Sequence, residues 1–202
     1  MKVVVATRNR HKVREIAALL AEAGLGVEAV AIDEVAPRAE LVEEEDTFEG
    51  NALAKARQAA AACGLPAMAD DSGIEVDALF GAPGVRSARW AGEPCDDGRN
   101  NQKMLRELAN VPAERRTARY RCAAAFVDPA RSLEIVRSGA CEGVLLDAPR
   151  GSSGFGYDPL FLVPSLGQTM AEIDLATKNR LSHRAAAFGA LALAMRKTDR
   201  KK

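Results

Sequence analysis

Two adjacent carboxylates, Asp70 and Asp71, follow a short apolar run and precede Ser72 and Gly73. Neighbouring negative charges repel each other unless a cation offsets them, and Mg²⁺ prefers hard oxygen ligands of this kind. Because side chains alternate along a strand, only one of the two can easily face a given site. The pair therefore indicates a metal site, and the alternative interpretation is an Asp-rich turn at the end of the strand.

A second polar segment joins the first apolar run to the start of a helical pattern. Its members are Thr7, Arg8, Asn9, Arg10, His11 and Lys12. Backbone N–H groups and the dipole at a helix start favour phosphate. The segment is not a Walker A loop, because the glycines and the Gly-Lys-Ser/Thr ending are absent. The alternative is a capped helix with basic surface residues.

Asn51 and Lys55 are four positions apart, which places them on one face of a predicted helix. Lys55 could reach a phosphate from there, although a lysine among alanines is as often a surface group. The acidic run at 43–46 supplies further carboxylates only if its loop folds toward Asp71.

Two later segments could hold a base. The glycine-rich stretch 151–159 contains Phe155, on which a base could stack, and Asp158, which could hydrogen-bond to it. Lys178, Ser182 and His183 share a face of the last predicted helix, with Arg184 beside them. The alternatives are a structural turn with core aromatics and an ordinary charged helix start.

The elements that must position these residues follow from the hydrophobic pattern. Strands are predicted at 3–6, 27–32, 66–69, 117–127 and 133–145, and helices from about 9 and at 48–63, 100–108 and 176–195. Strand–helix–strand units followed by long strands predict a mixed α/β sheet with two lobes. Ligands bind at the carboxyl ends of strands in such sheets, where both polar segments are expected.

Composition limits the partners. The chain has 202 residues and a formal net charge of zero, so no global basic field favours long nucleic acid. No stretch approaches the roughly 18 apolar residues of a membrane span, so no membrane association is expected. Four cysteines without a C-x-x-C pair predict reduced thiols in the cytoplasm. A charged tail is predicted from about residue 196.

Six ordered motifs together resemble one family. They are Ala6-Thr7-x-Asn9-x-x-Lys12, Phe48-Glu49-x-Asn51-Ala52-x-x-Lys55-Ala56, Ala69-Asp70-Asp71-Ser72-Gly73, Gly81-x-Pro83-Gly84-Val85-x-Ser87-Ala88-Arg89, Gly154-Phe155-Gly156-Tyr157-Asp158-Pro159 and Lys178-Asn179-x-x-Ser182-His183-Arg184. Their order and content are similar to those of the inosine triphosphate pyrophosphatase family, also called dITP/XTP pyrophosphatases. The resemblance covers nearly the whole chain.

This resemblance implies a fold and a reaction. The fold is a mixed β-sheet with flanking helices, forming two lobes around a deep nucleotide-binding cleft, with residues 1–202 as one two-lobed domain in a homodimer. The reaction is Mg²⁺-dependent hydrolysis of deaminated purine nucleoside triphosphates (ITP, dITP and XTP) to the monophosphate and pyrophosphate. Its expected role is to cleanse the cytoplasmic nucleotide pool.

The resemblance also implies residue roles. Asp71 would be the catalytic base and, with Glu43, a metal ligand. The implied substrate-binding residues are Thr7, Arg8, Asn9, Arg10, His11, Lys12, Lys55, Ser72, Phe155, Gly156, Tyr157, Asp158, Lys178, His183 and Arg184. The family often has Glu-Thr-Gly where this chain has three glutamates, so the metal ligand within Glu43-Glu44-Glu45 stays open.

Two other hypotheses compete with this one. A Maf-like pyrophosphatase would act on pyrimidine or modified nucleotides, and a substrate panel separates it from the first. A non-catalytic nucleotide-binding protein could use the same scaffold, because a fold does not fix a function. A Nudix enzyme is disfavoured, since its Arg-Glu-x-x-Glu-Glu helix is absent.

Overall fold

The computed structural model describes residues 1–199 of the chain, and within them seven strands pair into one sheet. The strands are β1 (Lys2–Val5), β2 (Glu28–Ala31), β3 (Ala67–Val76), β4 (Thr117–Asp128), β5 (Leu133–Leu145), β6 (Phe161–Val163) and β7 (Gln168–Thr169). They lie in the order β2-β1-β3-β4-β5-β6-β7. β1 is parallel to β2 and β3, whereas β6 is antiparallel to β5 and β7. The predicted mixed sheet is confirmed.

Helices flank these strands along the chain. They are α1 (Arg10–Glu22), α2 (Ile32–Val35), α3 (Phe48–Cys63), α4 (Asp97–Glu107), α5 (Leu175–Leu181) and α6 (His183–Asp199). Short 3-10 helices occupy Asp77–Leu79, Gly84–Arg89, Ala113–Arg115 and Pro129–Arg131. The mixed α/β class predicted from the sequence is therefore correct.

Helix α3 has the bounds that its sequence predicts, because both of its ends carry local signals. The Thr47 hydroxyl accepts a hydrogen bond from the Gly50 N–H at 3.0 Å, which caps the start. Gly64 ends the helix in the left-handed region at φ 70°, and its N–H donates to the Ala60 carbonyl at 2.8 Å.

The described residues divide into two compact units, the first formed by residues 1–71, 122–139 and 183–199. Its core packs apolar residues of β1, α1, β3, β4 and α6 against one another, among them Val5, Ile16, Met68, Phe126 and Phe188. Removing each large apolar side chain from water contributes about 1.5–3 kcal/mol.

The second unit comprises residues 72–121 and 140–182. Ile74, Met104, Tyr120 and Phe161 belong to its core, and the Tyr120 and Phe161 ring centroids are 4.5 Å apart. The cleft that the resemblance implies stays a prediction.

Strand β3 is longer than predicted. The sequence places its end at Ala69, with Asp70–Gly73 as a turn or loop, whereas the strand continues to Val76. The two aspartates can lie inside it because each has a cationic partner, Lys12 for Asp70 and Lys55 for Asp71. The turn interpretation is therefore wrong.

The predicted single helix 176–195 is also wrong, because two helices occupy this region. Ser182 has an extended backbone (φ −72°, ψ 154°) between α5 and α6. The start of α5 is fixed by Asp174, whose side chain accepts from the Thr177 N–H at 2.9 Å.

The predicted charged tail likewise begins inside a helix. Helix α6 extends through residue 199, so 196–199 are helical, and residues 200–202 lie outside the described residues. The Arg196 guanidinium donates to the carbonyl of Ala23 at the end of α1, which holds this last turn of helix.

At two glycines of the first unit, replacement by alanine should have opposite effects on the free energy of unfolding. A Cβ at Gly139 would lie 2.5 Å from the Ala187 nitrogen and 2.5 Å from the His183 oxygen, both of them backbone atoms. We expect Gly139→Ala to lower the free energy of unfolding by about 1–3 kcal/mol. Gly189 in α6 has no atom within 4 Å of such a Cβ, so Gly189→Ala should raise it by about 0.5–1 kcal/mol. Urea unfolding of both variants checks the pair, and equal effects would contradict it.

None of the four cysteines is in a disulfide. Burial raises the pKa of the Cys122 thiol to about 12 and that of Cys141 to about 11, so neither is a reactive thiolate near neutral pH. No helix in the part of the chain that the structure describes is long and apolar enough to cross a bilayer.

Candidate active site

The segment between β1 and α1 is a capped helix start. The Asn9 side chain accepts from the N–H groups of His11 at 2.9 Å and Lys12 at 3.2 Å. Arg8 turns to Asp33 (Nε–Oδ1 3.1 Å) and to the carbonyl of Ala39 (2.8 Å). Because Asn9 already occupies two first-turn N–H groups, a phosphate here would depend mainly on side chains and the helix dipole.

Asp70 and Asp71 face different partners, as alternation along β3 requires. Asp70 contacts Lys12 of α1 and Arg184 of α6, with distances of 3.1 and 3.2 Å to its Oδ2. Asp71 contacts Asn51 and Lys55, both of α3. The pair is thus divided into one carboxylate held by α1 and α6 and one that faces α3.

The carboxylate of Asp71 belongs to a cluster that also contains Glu43, Asn51 and Lys55. Lys55 Nζ lies 3.3 Å from Asp71 Oδ1 and also contacts Glu43 Oε1, while Asn51 Nδ2 donates to Asp71 Oδ2 at 3.1 Å. Burial raises the pKa of Asp71, and the nearby Glu43 carboxylate adds to this effect while Lys55 opposes it. Burial disfavours the charged form of Lys55, but the negative charges of Asp71, Asp70 and Glu43 together outweigh it, so the pKa of Lys55 is raised.

Among the three adjacent glutamates, Glu43 is the one whose side chain contacts Lys55. Glu45 is held differently, because its N–H donates to Asn51 Oδ1 at 3.0 Å and its carbonyl accepts from Asn51 Nδ2 at 3.1 Å. These two bonds fix the acidic loop against α3. The loop therefore folds toward Asp71, as the functional interpretation of the acidic run requires.

The donor set of this cluster fits a magnesium ion that shares its ligands with a substrate. Mg²⁺ is commonly held by one or two carboxylates together with phosphate oxygens and water. Glu43 and Asp71 provide two carboxylates on one ammonium group. Within residues 1–199, no group of three or more His, Cys, Asp or Glu side chains could hold a metal alone. Phosphate oxygens and water would therefore have to complete the coordination.

Arg184 lies in a buried ion-pair network of the first unit. Its side chain is 1% exposed, its Nε lies 3.2 Å from Asp70 Oδ2, and its Nη1 contacts Glu15 Oε2. Lys12 is the second cation on Asp70. Although burial favours the neutral acid, Lys12 and Arg184 lower the pKa of Asp70, so its carboxylate stays ionised. The network links α1, β3 and α6.

In the second unit, the turn at 155–158 is built around the buried carboxylate of Asp158. Its Oδ1 accepts from the Tyr120 hydroxyl at 3.1 Å, and its Oδ2 lies 2.8 Å from Lys178 Nζ and accepts from the Phe155 N–H at 3.0 Å. Burial, reinforced by the charge of Asp158, raises the pKa of Tyr120 well above its usual value, so the hydroxyl remains a donor. Asp158 therefore holds the turn with both of its oxygens.

Lys178 and Phe155 also contact each other directly. The ammonium of Lys178 lies 5.0 Å from the centre of the Phe155 ring, within the range of a cation–π interaction. Gly154 is required beside them, since a Cβ there would lie 2.1 Å from Asp158 Oδ2 and its φ is +80°. Tyr157 is buried, and its hydroxyl donates to the Ser87 carbonyl at 2.9 Å.

The predicted site residues thus fall into groups within separate units. Glu43, Lys55 and Asp71 come together in the first unit, where His183 is also buried and where Arg10 and His11 are exposed. In the second unit, Phe155, Asp158 and Lys178 come together, and half-buried Ser72 begins that unit within β3.

Sequence reasoning missed the residues that hold these groups in place. They are Glu15, Tyr120, Asp97 and Asn101. Asp97 carries a weak local signal, since acidic residues are typical of a first helical turn, and α4 begins there, three residues before the predicted start at 100. The others look like ordinary residues of amphipathic elements, so no local pattern reveals their partners.

Comparison with known proteins gives one consistent result. The model of the Ham1 family matches residues 3–194. The dITP/XTP pyrophosphatase of Geobacter sulfurreducens is 51% identical over 190 residues, covering 94% of each chain. The dITP/XTP pyrophosphatase of Frankia alni is 50% identical over 201 residues, covering 97% of this chain and 98% of that protein.

Solved structures agree with the sequence comparison. The Staphylococcus aureus Ham1 protein superposes with a TM-score of 0.86 at 35% identity, covering 98% of this chain and 100% of that one. A nucleoside-triphosphatase, named a dITP/XTP pyrophosphatase, from Mycobacterium abscessus gives a TM-score of 0.74 at 41% identity, covering 96% and 97% of the two chains. The sequence comparison and the structural comparison therefore identify similar proteins of the same kind.

Proposed function

The chain belongs to the Ham1 family, and from that premise we propose that it hydrolyses deaminated purine nucleoside triphosphates to the monophosphate and pyrophosphate. The proposed substrates are ITP, dITP and XTP, and the last two appear in the names of the similar proteins. The observation that carries the proposal is the cluster of Asp71, Glu43 and Lys55, which combines two carboxylates with one ammonium group. A protein that only bound nucleotides would not need the buried carboxylate of Asp71 to hold a metal ion and activate water.

The reaction assigned to this cluster is attack of water on the α-phosphorus. Asp71 orients the water and accepts its proton as the new phosphorus–oxygen bond forms. The bond from the α-phosphorus to the bridging oxygen breaks, and pyrophosphate leaves with the bonding electrons. Lys55, already held by two carboxylates, is positioned to bind a phosphate oxygen.

Glu43 and Asp71 are the residues that would hold Mg²⁺. The ion, when bound, supplies Lewis-acid stabilisation of the negative charge that grows on the leaving pyrophosphate. The residues of the segment 7–12 would bind the phosphates with the help of the α1 dipole. Within this segment, the ammonium group of Lys12 lies 3.1 Å from Asp70 Oδ2.

For base recognition, the proposal takes over the residue roles that the resemblance implies. Phe155 would stack on the purine, and His183 and Arg184 would donate to the carbonyl at its 6-position. Adenine has an amino group at that position, so it would leave these donors unpaired and be a poor substrate. Guanine shares the carbonyl, and its rejection must therefore depend on the 2-position.

The assembly and compartment complete the proposal. The resemblance described above supports a homodimer that acts in the cytoplasm and removes deaminated nucleotides before polymerases use them. Sedimentation equilibrium of the purified chain tests the dimer, and a monomeric mass at micromolar concentration would contradict it.

Product analysis with and without metal tests the reaction itself. With ITP and Mg²⁺, we expect pyrophosphate and IMP in equal amounts, because attack at the α-phosphorus releases both together. EDTA should abolish turnover, and added Mg²⁺ should restore it. Release of orthophosphate with IDP would place the attack at the γ-phosphorus, and undiminished activity in EDTA would remove the metal from the proposal.

A further inference from the structure

Two side chains of α4 bind the main chain of Gly156. Asp97 Oδ2 accepts from the Gly156 N–H at 2.7 Å, and Asn101 Nδ2 donates to the Gly156 carbonyl at 2.9 Å. The two residues are four positions apart and so lie on one face of the helix. Together they hold both polar groups of one residue. Gly156 itself has φ +62°, a conformation that other residues rarely adopt.

This clamp, defined as Asp97 and Asn101 on Gly156, is one of three anchors of the turn at 155–158. Tyr157 is anchored through its hydroxyl to the Ser87 carbonyl, and Asp158 through Tyr120 and Lys178. Phe155 is half-buried, and its ring lies beneath the ammonium group of Lys178. Because Lys178 lies over that ring, a stacking base must use the face that Lys178 does not cover.

The clamp therefore restrains the backbone directly after Phe155, whose own N–H is held separately by Asp158 Oδ2 at 3.0 Å. Gly156 follows Phe155 directly, and a glycine released from its two partners has more backbone freedom than any other residue. An unfixed glycine would let the Phe155 ring sample several orientations, and ordering it again on binding costs affinity. A ring held in advance avoids that cost.

We propose that Asp97, with Asn101, is a positioning residue for base recognition that fixes the Phe155 ring through its hydrogen bond to Gly156. This inference rests on the proposed function, since it takes Phe155 to contact the base. The proposal assigns Asp97 no contact with the substrate or the reacting atoms. Its removal should therefore weaken binding of the base and leave the cluster of Asp71, Glu43 and Lys55 unaffected.

A matched pair of variants isolates the hydrogen bond. Asp97→Ala removes the acceptor and the negative charge that favours the start of α4, whereas Asp97→Asn removes the charge and keeps an acceptor oxygen. A difference between the two variants therefore reports the bond to Gly156 and not the helix dipole. Thermal unfolding of both variants checks that α4 still folds.

The test measures binding of IMP and of inorganic pyrophosphate by calorimetry to the wild type and both variants, each as the full chain. The kinetics of ITP turnover are measured for the same three proteins. Loss of one hydrogen bond to a charged group predicts about tenfold weaker IMP binding for Asp97→Ala. Asp97→Asn should stay within about threefold of the wild type, because a neutral acceptor retains part of that bond. Pyrophosphate should bind all three proteins equally, and KM for ITP should rise in Asp97→Ala with little change in kcat.

Other outcomes overturn the inference. If Asp97→Ala binds IMP as tightly as the wild type does, the clamp does not position the Phe155 ring for binding of the base. If Asp97→Asn is as impaired as Asp97→Ala, the charge at the helix start is responsible and not the acceptor. If pyrophosphate binding falls in parallel, the effect is general. Failure of the wild type to hydrolyse ITP would instead reject the proposed function. That result differs from each of the three outcomes that reject the role of the clamp.

Discussion

Replacing Asp71 by asparagine is expected to reduce turnover of ITP by about a thousandfold or more. A positioned carboxylate that accepts a proton contributes roughly 10²–10⁴-fold to a rate, and Asp71 is also one of the two carboxylates available for the metal. Asparagine has nearly the same shape but cannot take the proton and carries no charge. The measurement is pyrophosphate release at saturating ITP and Mg²⁺.

The fold of this variant should remain intact, because Lys55 keeps its contact with Glu43. Asp147→Asn is a suitable control, since Asp147 is an exposed aspartate in the turn after β5 and should be dispensable. We expect full activity from the control and an unchanged unfolding temperature within a few degrees for both. A folded Asp71→Asn protein with more than about a tenth of wild-type activity would remove Asp71 from its catalytic role.

Replacing Arg184 by alanine should lower the free energy of unfolding by about 3–5 kcal/mol, because breaking a buried ion pair leaves an uncompensated charge in the interior. The contacts of Arg184 with Glu15 and Asp70 lie at a residue that is 1% exposed. Asp70 would keep its contact with Lys12, but both Asp70 and Glu15 would lose the guanidinium group. Urea unfolding followed by circular dichroism gives the midpoint and the slope.

An exposed ion pair of the same unit provides the control. Arg57 binds both oxygens of Glu134, at 2.8 and 2.6 Å, yet its side chain is 56% exposed. Arg57→Ala should change the free energy of unfolding by less than about 1 kcal/mol, because solvent screens such pairs. If Arg184→Ala is no more destabilising than Arg57→Ala, the buried network does not stabilise the first unit.

Local signals in the sequence were sufficient for some elements and not for others. Helix α3 matches its predicted bounds because Thr47 and Gly64 fix its two ends by contacts within four residues. Strand β3 runs past its predicted end because its two aspartates are stabilised by Lys12 and Lys55, which lie elsewhere in the sequence. The break at Ser182 was missed because Leu181 before it and the alanines at 185–187 after it are strong helix formers that favour a continuous helix.

The family was recognised from the sequence, and the matching model over residues 3–194 confirms it. The six motifs carry that recognition because they combine unusual residues in a fixed order. The partners of the motif residues could not be read in the same way. Arg184 meets Glu15 across 169 positions and Asp70 across 114, and no local pattern encodes contacts of that range.

The preference for deaminated purines is tested by comparing kcat/KM for pyrophosphate release from ITP, XTP, GTP, ATP and dUTP under one set of conditions with Mg²⁺. We expect ITP and XTP to exceed ATP by about a hundredfold or more, because adenine leaves the donors to the 6-position unpaired. We expect them to exceed GTP as well, through rejection of the 2-amino group of guanine. Activity confined to pyrimidine nucleotides, or equal values for ITP, GTP and ATP, would contradict the assignment to deaminated purines.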